Sequence, residues 1–181
     1  MRVISGSAKG RKLYFSQVTR PLSQKAKAGL FSTITSRMDL SDISVLDLFA
    51  GSGSLGIESL SRGAKSADFV ELSKNAYKQI LKNIYNTSFQ DKSQVFNTSA
   101  ERFIHLEKFN KYDLIFVFPP YDQTNIRTVR NAAELLNKNG MLILEHHKKF
   151  KPAQRIKGLS YLFTKTYSIT SLSFYIKSNE E

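Results

Sequence analysis

The 181-residue chain is long enough for one domain with a continuous hydrophobic core, and its 41% hydrophobic and 23% charged residues are typical of globular proteins. It contains no cysteine, which excludes disulfides, thiolate metal sites and cysteine nucleophiles, and no apolar run approaches the roughly 20 residues that cross a bilayer. The net charge is +12, because 27 Lys and Arg outnumber 15 Asp and Glu. This excess favours a polyanionic partner over a surface that is basic for solubility alone. Because no apolar run could cross a bilayer, we expect a cytoplasmic protein.

Residues 1–40 are predicted to form a basic N-terminal extension without a core of its own. Residues 3–4 and 12–15 flank a short turn, as the two strands of a hairpin would. A helix is predicted over residues 23–36, where apolar side chains recur at helical spacing. The extension would therefore consist of a hairpin and a helix, followed by a main domain that spans residues 41–181.

Beyond residue 40, short apolar runs alternate with amphipathic stretches, which predicts a mostly parallel sheet with helices on both faces. The predicted parallel strands are residues 45–49, 66–71, 94–96, 114–117 and 141–144. The predicted helices are residues 54–62, 73–87, 100–108 and 124–138. Two further strand-like runs, 159–163 and 171–176, have no helix between them and should pair as a closing antiparallel hairpin. The expected fold class is α/β with a seven-stranded sheet.

A glycine-rich turn follows the first predicted strand and opens the next helix. Gly51, Gly53 and Gly56 form a G-x-G-x-x-G pattern, in which glycine allows a sharp turn and close contact between backbone and ligand. Glu71 ends the second strand, where a carboxylate can accept hydrogen bonds from both hydroxyls of a ribose. This pattern suits NAD as well as S-adenosylmethionine. Asp47 favours S-adenosylmethionine, because its carboxylate would lie near the methionyl ammonium and would repel a pyrophosphate.

A proline-rich loop, Phe118-Pro119-Pro120-Tyr121, follows the fourth predicted strand. The two prolines make it rigid, and it lies at the carboxyl edge of the sheet, where ligands bind in open α/β folds. The loop alone is equally consistent with ligand binding and with a stiff structural turn. It resembles the loop of the amino-methyltransferases, which reads Asp/Asn-Pro-Pro-Tyr/Phe.

The resemblance extends over almost the whole chain, and it indicates a narrower group than the amino-methyltransferases as a whole. Its motifs are Arg2-Val3-Ile4-Ser5-Gly6, Lys9-Gly10-Arg11-Lys12-Leu13, Thr19-Arg20-Pro21, Leu30-Phe31, residues 47–58, Ser61-Arg62-Gly63-Ala64 and Leu172-Ser173-Phe174-Tyr175. Together they resemble the RsmD family, bacterial ribosomal RNA small-subunit methyltransferases that methylate the exocyclic N2 of one guanine in 16S ribosomal RNA. The resemblance implies a Rossmann-like class I methyltransferase fold and S-adenosylmethionine as the cofactor.

The resemblance also assigns roles to residues. In the family, the acidic or amide side chain of the loop and the carbonyl of its first proline accept hydrogen bonds from the target amino group, while the aromatic residue stacks on the base. The implied catalytic residues are Phe118, Pro119, Pro120 and Tyr121. The implied cofactor-binding residues are Asp47, Phe49, Ala50, Gly51, Ser52, Gly53, Glu71, Leu72, Ser99 and Ala100. The basic residues expected to contact RNA are Arg2, Lys9, Arg11, Lys12, Arg20, Lys25 and Lys27.

Several polar positions of the family pattern are replaced in this chain. Phe118 stands where the family has an Asp, and its ring cannot accept a hydrogen bond or a proton. Loss of a positioned acceptor or base typically costs about 10² to 10⁴ in rate. Ser99 stands where the family has an Asp that binds the adenine amino group, and Gln24 and Ala28 replace two further carboxylates.

Three functions are compatible with these residues. The first is a guanine-N2 methyltransferase that acts on ribosomal RNA or the small ribosomal subunit. The second is an impaired or inactive relative that binds RNA or the ribosome. The third, an NAD-dependent oxidoreductase, is disfavoured because it leaves Asp47 and the proline-rich loop without a role. No metal site is expected, since His146 and His147 would point to opposite faces of a strand, and we expect a monomer that needs no membrane.

Overall fold

The computed structural model describes residues 1–15, 22–106, 111–121 and 126–178. Its helices are α1 (Gln24–Thr35), α2 (Ser54–Ser61), α3 (Lys74–Thr87), α4 (Ala100–Leu106) and α5 (Ile126–Ala133), with a short 3₁₀ turn at Gln90–Lys92. Its strands are β1 (Ser44–Asp47), β2 (Ser66–Val70), β3 (Ser93–Phe96), β4 (Tyr112–Val117), β5 (Leu136–His147), β6 (Arg155–Ile156), β7 (Leu159–Tyr167) and β8 (Thr170–Lys177). The bounds agree closely with the predicted elements except for α5, β5, the C-terminal end of β7 and the two strands predicted before α1.

The strands of the described residues form one sheet in the order β3-β2-β1-β4-β5-β8-β7-β6. Strands β1 to β5 run parallel, and β8 lies antiparallel between β5 and β7. This arrangement confirms the predicted α/β class and the closing hairpin. The predicted count of seven strands is wrong by one, because the two-residue strand β6 pairs with β7 at the sheet edge.

The boundary between α5 and β5 differs most from the predicted one. The helix predicted over residues 124–138 ends at Ala133, and β5 begins at Leu136. Asn139, within β5, has a φ of 63°, in the left-handed region. Leu135 and Leu136 lie beyond the helix but are apolar and buried, so they continue its apolar spacing. Spacing alone therefore cannot locate the end of the helix.

Helices cover both faces of the sheet. On one face, α1, α2 and α3 contribute to a cluster that includes Phe31 and Phe116, whose ring centroids are 6.1 Å apart. On the other face, α4 and α5 pack against a cluster that includes Ile115 and Val117. Successive residues of β4 therefore face opposite clusters, which explains why this strand reads as a continuous apolar run.

Helix α3 buries a narrower stripe than its apolar spacing predicts. The predicted stripe is Ala76, Ile80, Leu81, Ile84 and Tyr85. Leu81 and Tyr85 are instead exposed, whereas the other three are buried. The buried face includes Asn83, whose side-chain amide donates to the carbonyls of Tyr14 and Ser52. This polar contact links α3 to the N-terminal segment, residues 1–15.

The N-terminal segment packs on α2 and shares the core of the sheet. A single bridge between Arg2 and Lys12 stands in place of the two predicted strands. Val3 and Leu13 are buried in the same cluster as the apolar residues of α1 and α2. The boundary at residue 40 stays a prediction, and the shared cluster shows that the segment has no core of its own.

A buried ion cluster joins the N-terminal segment, α1 and α2. The carboxylate of the fully buried Glu58 lies 3.3 Å from Lys27 Nζ and 2.9 Å from Arg62 Nε. It also accepts hydrogen bonds from the backbone N–H groups of Ile4 and Ser5 at 2.8 and 3.0 Å. Burial lowers the pKa of Lys27, and the adjacent Glu58 charge opposes this shift. The prediction that Lys27 contacts RNA is wrong, because its ammonium is enclosed by the protein.

Candidate active site

A cavity of about 600 Å³ lies at the carboxyl ends of β1, β2 and β4. Its volume is in the range of small-molecule sites. The predicted residues that line it are Asp47, Phe49, Ala50, Gly51, Ser52, Glu71, Leu72, Ser99, Ala100, Phe118, Pro119, Pro120 and Tyr121. The glycine-rich turn and the proline-rich loop, far apart in sequence, therefore meet at one cavity on the sheet edge where ligands bind in open α/β folds.

The glycine-rich turn has left-handed backbone at two positions. Gly51 and Gly53 have φ values of 57° and 74°, which glycine adopts without strain. Gly53 is not among the residues that line the cavity, and a Cβ there would lie 3.2 Å from Ile80. A Cβ on Gly56 would lie 2.3 Å from the ring of Phe69, so this glycine lets α2 approach β2. Gly53 thus shapes the turn, whereas the sequence predicted a direct cofactor contact.

Two carboxylates bind the backbone of this turn. Glu71 accepts hydrogen bonds from the N–H groups of Gly51 at 2.8 Å and Ser73 at 2.7 Å. The buried Asp47 accepts one from the N–H of Gly56 at 3.3 Å. Burial raises the pKa of Asp47 to about 7, an effect that the Gly56 hydrogen bond reduces and the Glu71 charge increases. A carboxylate offers about four lone-pair sites, so both groups keep acceptor capacity for a ligand.

The segments that follow β2 and β3 form another part of the cavity wall. The Asn97 side-chain amide donates to the carbonyls of Glu71 and Leu72 at 2.8 and 3.0 Å, which ties the two segments together. Ser99 Oγ accepts a hydrogen bond from the N–H of Arg102 at 3.2 Å and so caps α4. The serine at this position therefore has a helix-capping role in addition to its place in the cavity wall.

The proline-rich loop is fixed by contacts at both ends. Phe118 packs edge-on against Phe116, with ring centroids 5.8 Å apart. The hydroxyl groups of Tyr121 and Thr170 are hydrogen-bonded at 2.5 Å, and the Tyr121 ring makes an edge contact with His147 at a centroid distance of 5.6 Å. The ring of Tyr121 is thus oriented by the protein itself.

The cavity also has lining residues for which the sequence predicted no site role. They are Leu22, Leu48, Ser54, Leu55, Val70, Ser73, Thr98, Glu101 and Glu145. Glu145 lies on β5, the neighbour of the strand that leads into the proline-rich loop. A signal for it existed, because the predicted fifth strand ended at Leu144 and ligands bind where parallel strands end.

Most of the predicted RNA-contact residues lie on the surface. Arg2, Lys9, Arg11, Lys12 and Lys25 are exposed. The Lys12 ammonium lies 5.2 Å from the ring centroid of the half-exposed Tyr14, and adjacent cationic and aromatic side chains suit phosphate and base contacts. Arg20 lies outside the described residues.

No helix within residues 1–15, 22–106, 111–121 and 126–178 is long and apolar enough to cross a membrane. Over the same ranges, no three His, Asp or Glu side chains are grouped so that they could hold a metal ion. The buried His146, whose pKa is lowered by burial, has Nε2 2.8 Å from Ser173 Oγ, a contact within the sheet.

Comparison with known proteins places this architecture in a family. The family model described as Conserved hypothetical protein 95 matches residues 1–176. The Ribosomal RNA small subunit methyltransferase D of Haemophilus influenzae is 33% identical to this chain, over 97% of the chain and 93% of that protein. This chain belongs to the RsmD family.

Solved structures agree with the fold of this RsmD-family chain. The Escherichia coli protein yhhF has a TM-score of 0.86 and 26% identity, with 99% of each chain covered. A magnesium protoporphyrin IX methyltransferase from Synechocystis PCC 6803, solved with bound SAM, has a TM-score of 0.65 and 16% identity, with 86% of this chain and 79% of that chain covered. The second likeness concerns the fold alone. The class I methyltransferase fold predicted from the sequence is confirmed.

Proposed function

We propose that this RsmD-family protein transfers the methyl group of S-adenosylmethionine to the N2 amino group of a guanine in 16S ribosomal RNA. The observation that carries the proposal is the shared cavity of about 600 Å³, which the glycine-rich turn and the proline-rich loop both line. The name of the Haemophilus influenzae relative supports ribosomal RNA as the substrate. The exposed residues Arg2, Lys9, Arg11, Lys12 and Lys25 would contact its phosphates.

At the cofactor end, S-adenosylmethionine would supply a methyl group made electrophilic by its sulfonium. Glu71 would accept hydrogen bonds from the ribose hydroxyls through the lone pairs that Gly51 and Ser73 leave available. The buried Asp47 would pair with the methionyl ammonium, whose positive charge would stabilise its ionised form. The absence of a side chain at Gly51 would let the cofactor lie against the backbone.

At the target end, the residues would orient a poor nucleophile. The lone pair of guanine N2 is delocalised into the ring until the amino hydrogens are held out of plane. The carbonyl of Pro119 would accept a hydrogen bond from one of these hydrogens, and Tyr121 would stack on the base. Because Thr170 and His147 already orient the Tyr121 ring, the base would be aligned without a prior rearrangement of the loop.

One observation favours a second function. Phe118 carries no acceptor, and its ring packs against Phe116. If the carboxylate of the family motif has no substitute, the rate would fall by about 10² to 10⁴. The protein would then bind cofactor and RNA as an impaired or inactive relative.

Methyl transfer to small ribosomal subunits that lack the modification distinguishes the two functions. The natural protein and the Phe118→Asp variant are incubated with labelled S-adenosylmethionine and these particles. We expect the natural protein to transfer label. Transfer by the variant alone would support a silenced site, and cofactor binding without transfer by either protein would exclude this RNA as the substrate.

The affinity for S-adenosylmethionine is expected to depend on pH through Asp47. Its pKa is raised to about 7, so below pH 7 the carboxyl is largely protonated and must ionise to pair with the ammonium. Affinity should therefore rise about tenfold between roughly pH 5.5 and pH 7. Titration calorimetry measures this rise, and Asp47→Asn should flatten it, whereas the exposed control Asp91→Asn should not. An affinity of the natural protein that is constant over this range would contradict the assignment.

A further inference from the structure

The cavity contains carboxylates beyond those assigned to the cofactor. Four of its lining residues in the described part of the chain are acidic: Asp47, Glu71, Glu101 and Glu145. Asp47 and Glu71 bind the backbone of the glycine-rich turn. Glu101 lies in the first turn of α4, beside Ser99. Glu145 differs from these three because it comes from β5, on the side of the proline-rich loop.

The sheet register places Glu145 beside Phe118. Strands β4 and β5 are parallel, with Val117 paired to Leu144, so the next residue of each chain, 118 and 145, occupies the next register position. Neighbouring strands lie about 4.8 Å apart, and paired residues of parallel strands point to the same face. Phe118 packs on the cluster that contains Ile143, and Glu145 is two residues beyond Ile143 on the same face.

Tyr121 contacts the same strand, β5, close to Glu145. The Tyr121 ring contacts His147, which is two residues beyond Glu145 on the same strand and therefore about 6.6 Å along it. Glu145 also pairs with Leu172 of β8, so the antiparallel neighbour holds its backbone. Glu145 lines the same cavity as Tyr121, whose ring is proposed to stack on the base, and as Phe118, the position at which the family motif carries its acid.

We propose that Glu145 is the catalytic acceptor for the target amino group and replaces the carboxylate that is missing at Phe118. This inference rests on the proposed function. In the step, the N2 lone pair forms a bond to the methyl carbon while the carbon–sulfur bond breaks, and its electron pair stays on sulfur, which becomes a neutral thioether. The nitrogen, now positively charged, releases a proton to the Glu145 carboxylate, which later passes it to water. Pro119 and Glu145 together then supply the two acceptors that the amine requires.

Moving the acceptor from Glu145 on β5 to position 118, directly after β4, tests this role. Glu145→Gln keeps the volume but removes the base, and we expect kcat for methyl transfer to fall about 10²-fold while the Kd for S-adenosylmethionine stays within about twofold. Adding Phe118→Asp to Glu145→Gln restores an acceptor at the adjacent register position. The kcat of this double variant should be at least about tenfold higher than that of Glu145→Gln alone. Phe118→Asn, combined in the same way, checks whether an uncharged acceptor is enough. The exposed Glu134→Gln serves as the matched control.

The outcomes separate this inference from the proposed function. If Glu145→Gln transfers methyl groups as fast as the natural protein, the inference is wrong and the methyltransferase assignment stands. If activity falls but neither Phe118 variant restores it while cofactor affinity is unchanged, the acceptor role is also wrong. A natural protein that is silent while Phe118→Asp is active overturns the inference too. If no protein in the series transfers label to RNA, the proposed function itself fails.

Discussion

Replacement of Glu71 by alanine is expected to weaken S-adenosylmethionine binding about 10²- to 10⁴-fold. The variant would lose two charge-assisted hydrogen bonds to the ribose, each worth about 1.5–3 kcal/mol. It would also release the N–H groups of Gly51 and Ser73, which lie 2.8 and 2.7 Å from the carboxylate oxygens. The glycine-rich turn would therefore lose part of its support in addition to a ligand contact. Titration calorimetry with S-adenosylmethionine measures the combined loss.

A second substitution separates these two contributions. Glu71→Gln keeps one acceptor oxygen and nearly the same volume, so we expect an intermediate loss of about tenfold. The exposed residue Glu134, replaced by alanine, should leave the affinity unchanged. A Kd for Glu71→Ala within about threefold of the natural value would exclude Glu71 as the ribose acceptor.

Glu58→Gln is expected to lower the free energy of unfolding by about 3–5 kcal/mol. The substitution removes the negative charge 3.3 Å from Lys27 Nζ, and both side chains are fully buried. An uncompensated charge in the protein interior is the costly result of breaking such a pair. In a protein of this size each kcal/mol corresponds to roughly 2–4 °C of melting temperature, so thermal and urea unfolding should both detect the loss.

Comparison with the partner residue shows whether the charge is responsible. Lys27→Met removes the ammonium and leaves Glu58 bound to Arg62 and to the N–H groups of Ile4 and Ser5, so its cost should be smaller. In Glu58→Gln, hydrogen exchange at Ile4 and Ser5 should accelerate more than at buried sheet positions. If Glu58→Gln unfolds at the same urea concentration as the natural protein, the cluster contributes no net stability.

Much of the fold could be predicted from the sequence because its signals are local. Each parallel strand is a short apolar run between turn residues, and each covering helix has a stripe of apolar residues at helical spacing. Strand β6 could not be predicted, because its two residues carry no periodic signal and its pairing with β7 is a tertiary contact. The end of α5 could not be located either, because the buried Leu135 and Leu136 continue its apolar spacing up to and into β5.

The candidate site was predictable to the extent that it consists of continuous motifs. The glycine-rich turn and the proline-rich loop are each a few residues long, and both line the cavity. Residues whose surroundings depend on non-local packing were missed or misplaced. Lys27 was predicted to be on the surface because nothing near it in sequence indicates that α1 docks against Glu58. Glu145 directly follows the predicted fifth strand, but its position beside Phe118 depends on the register between β4 and β5.

Helix α2 separates the N-terminal segment from the cavity by a fixed distance. Its first residue, Ser54, borders the cavity, while Glu58 and Ser61 near its other end bind the backbone of residues 4–8. A helix of eight residues is about 12 Å long and resists both bending and stretching. Phosphates gripped by the exposed basic residues of the N-terminal segment would therefore be kept at a constant spacing from the donor. This fixed distance would let the geometry of the folded nucleic acid, in addition to its sequence, select which nucleotide is modified.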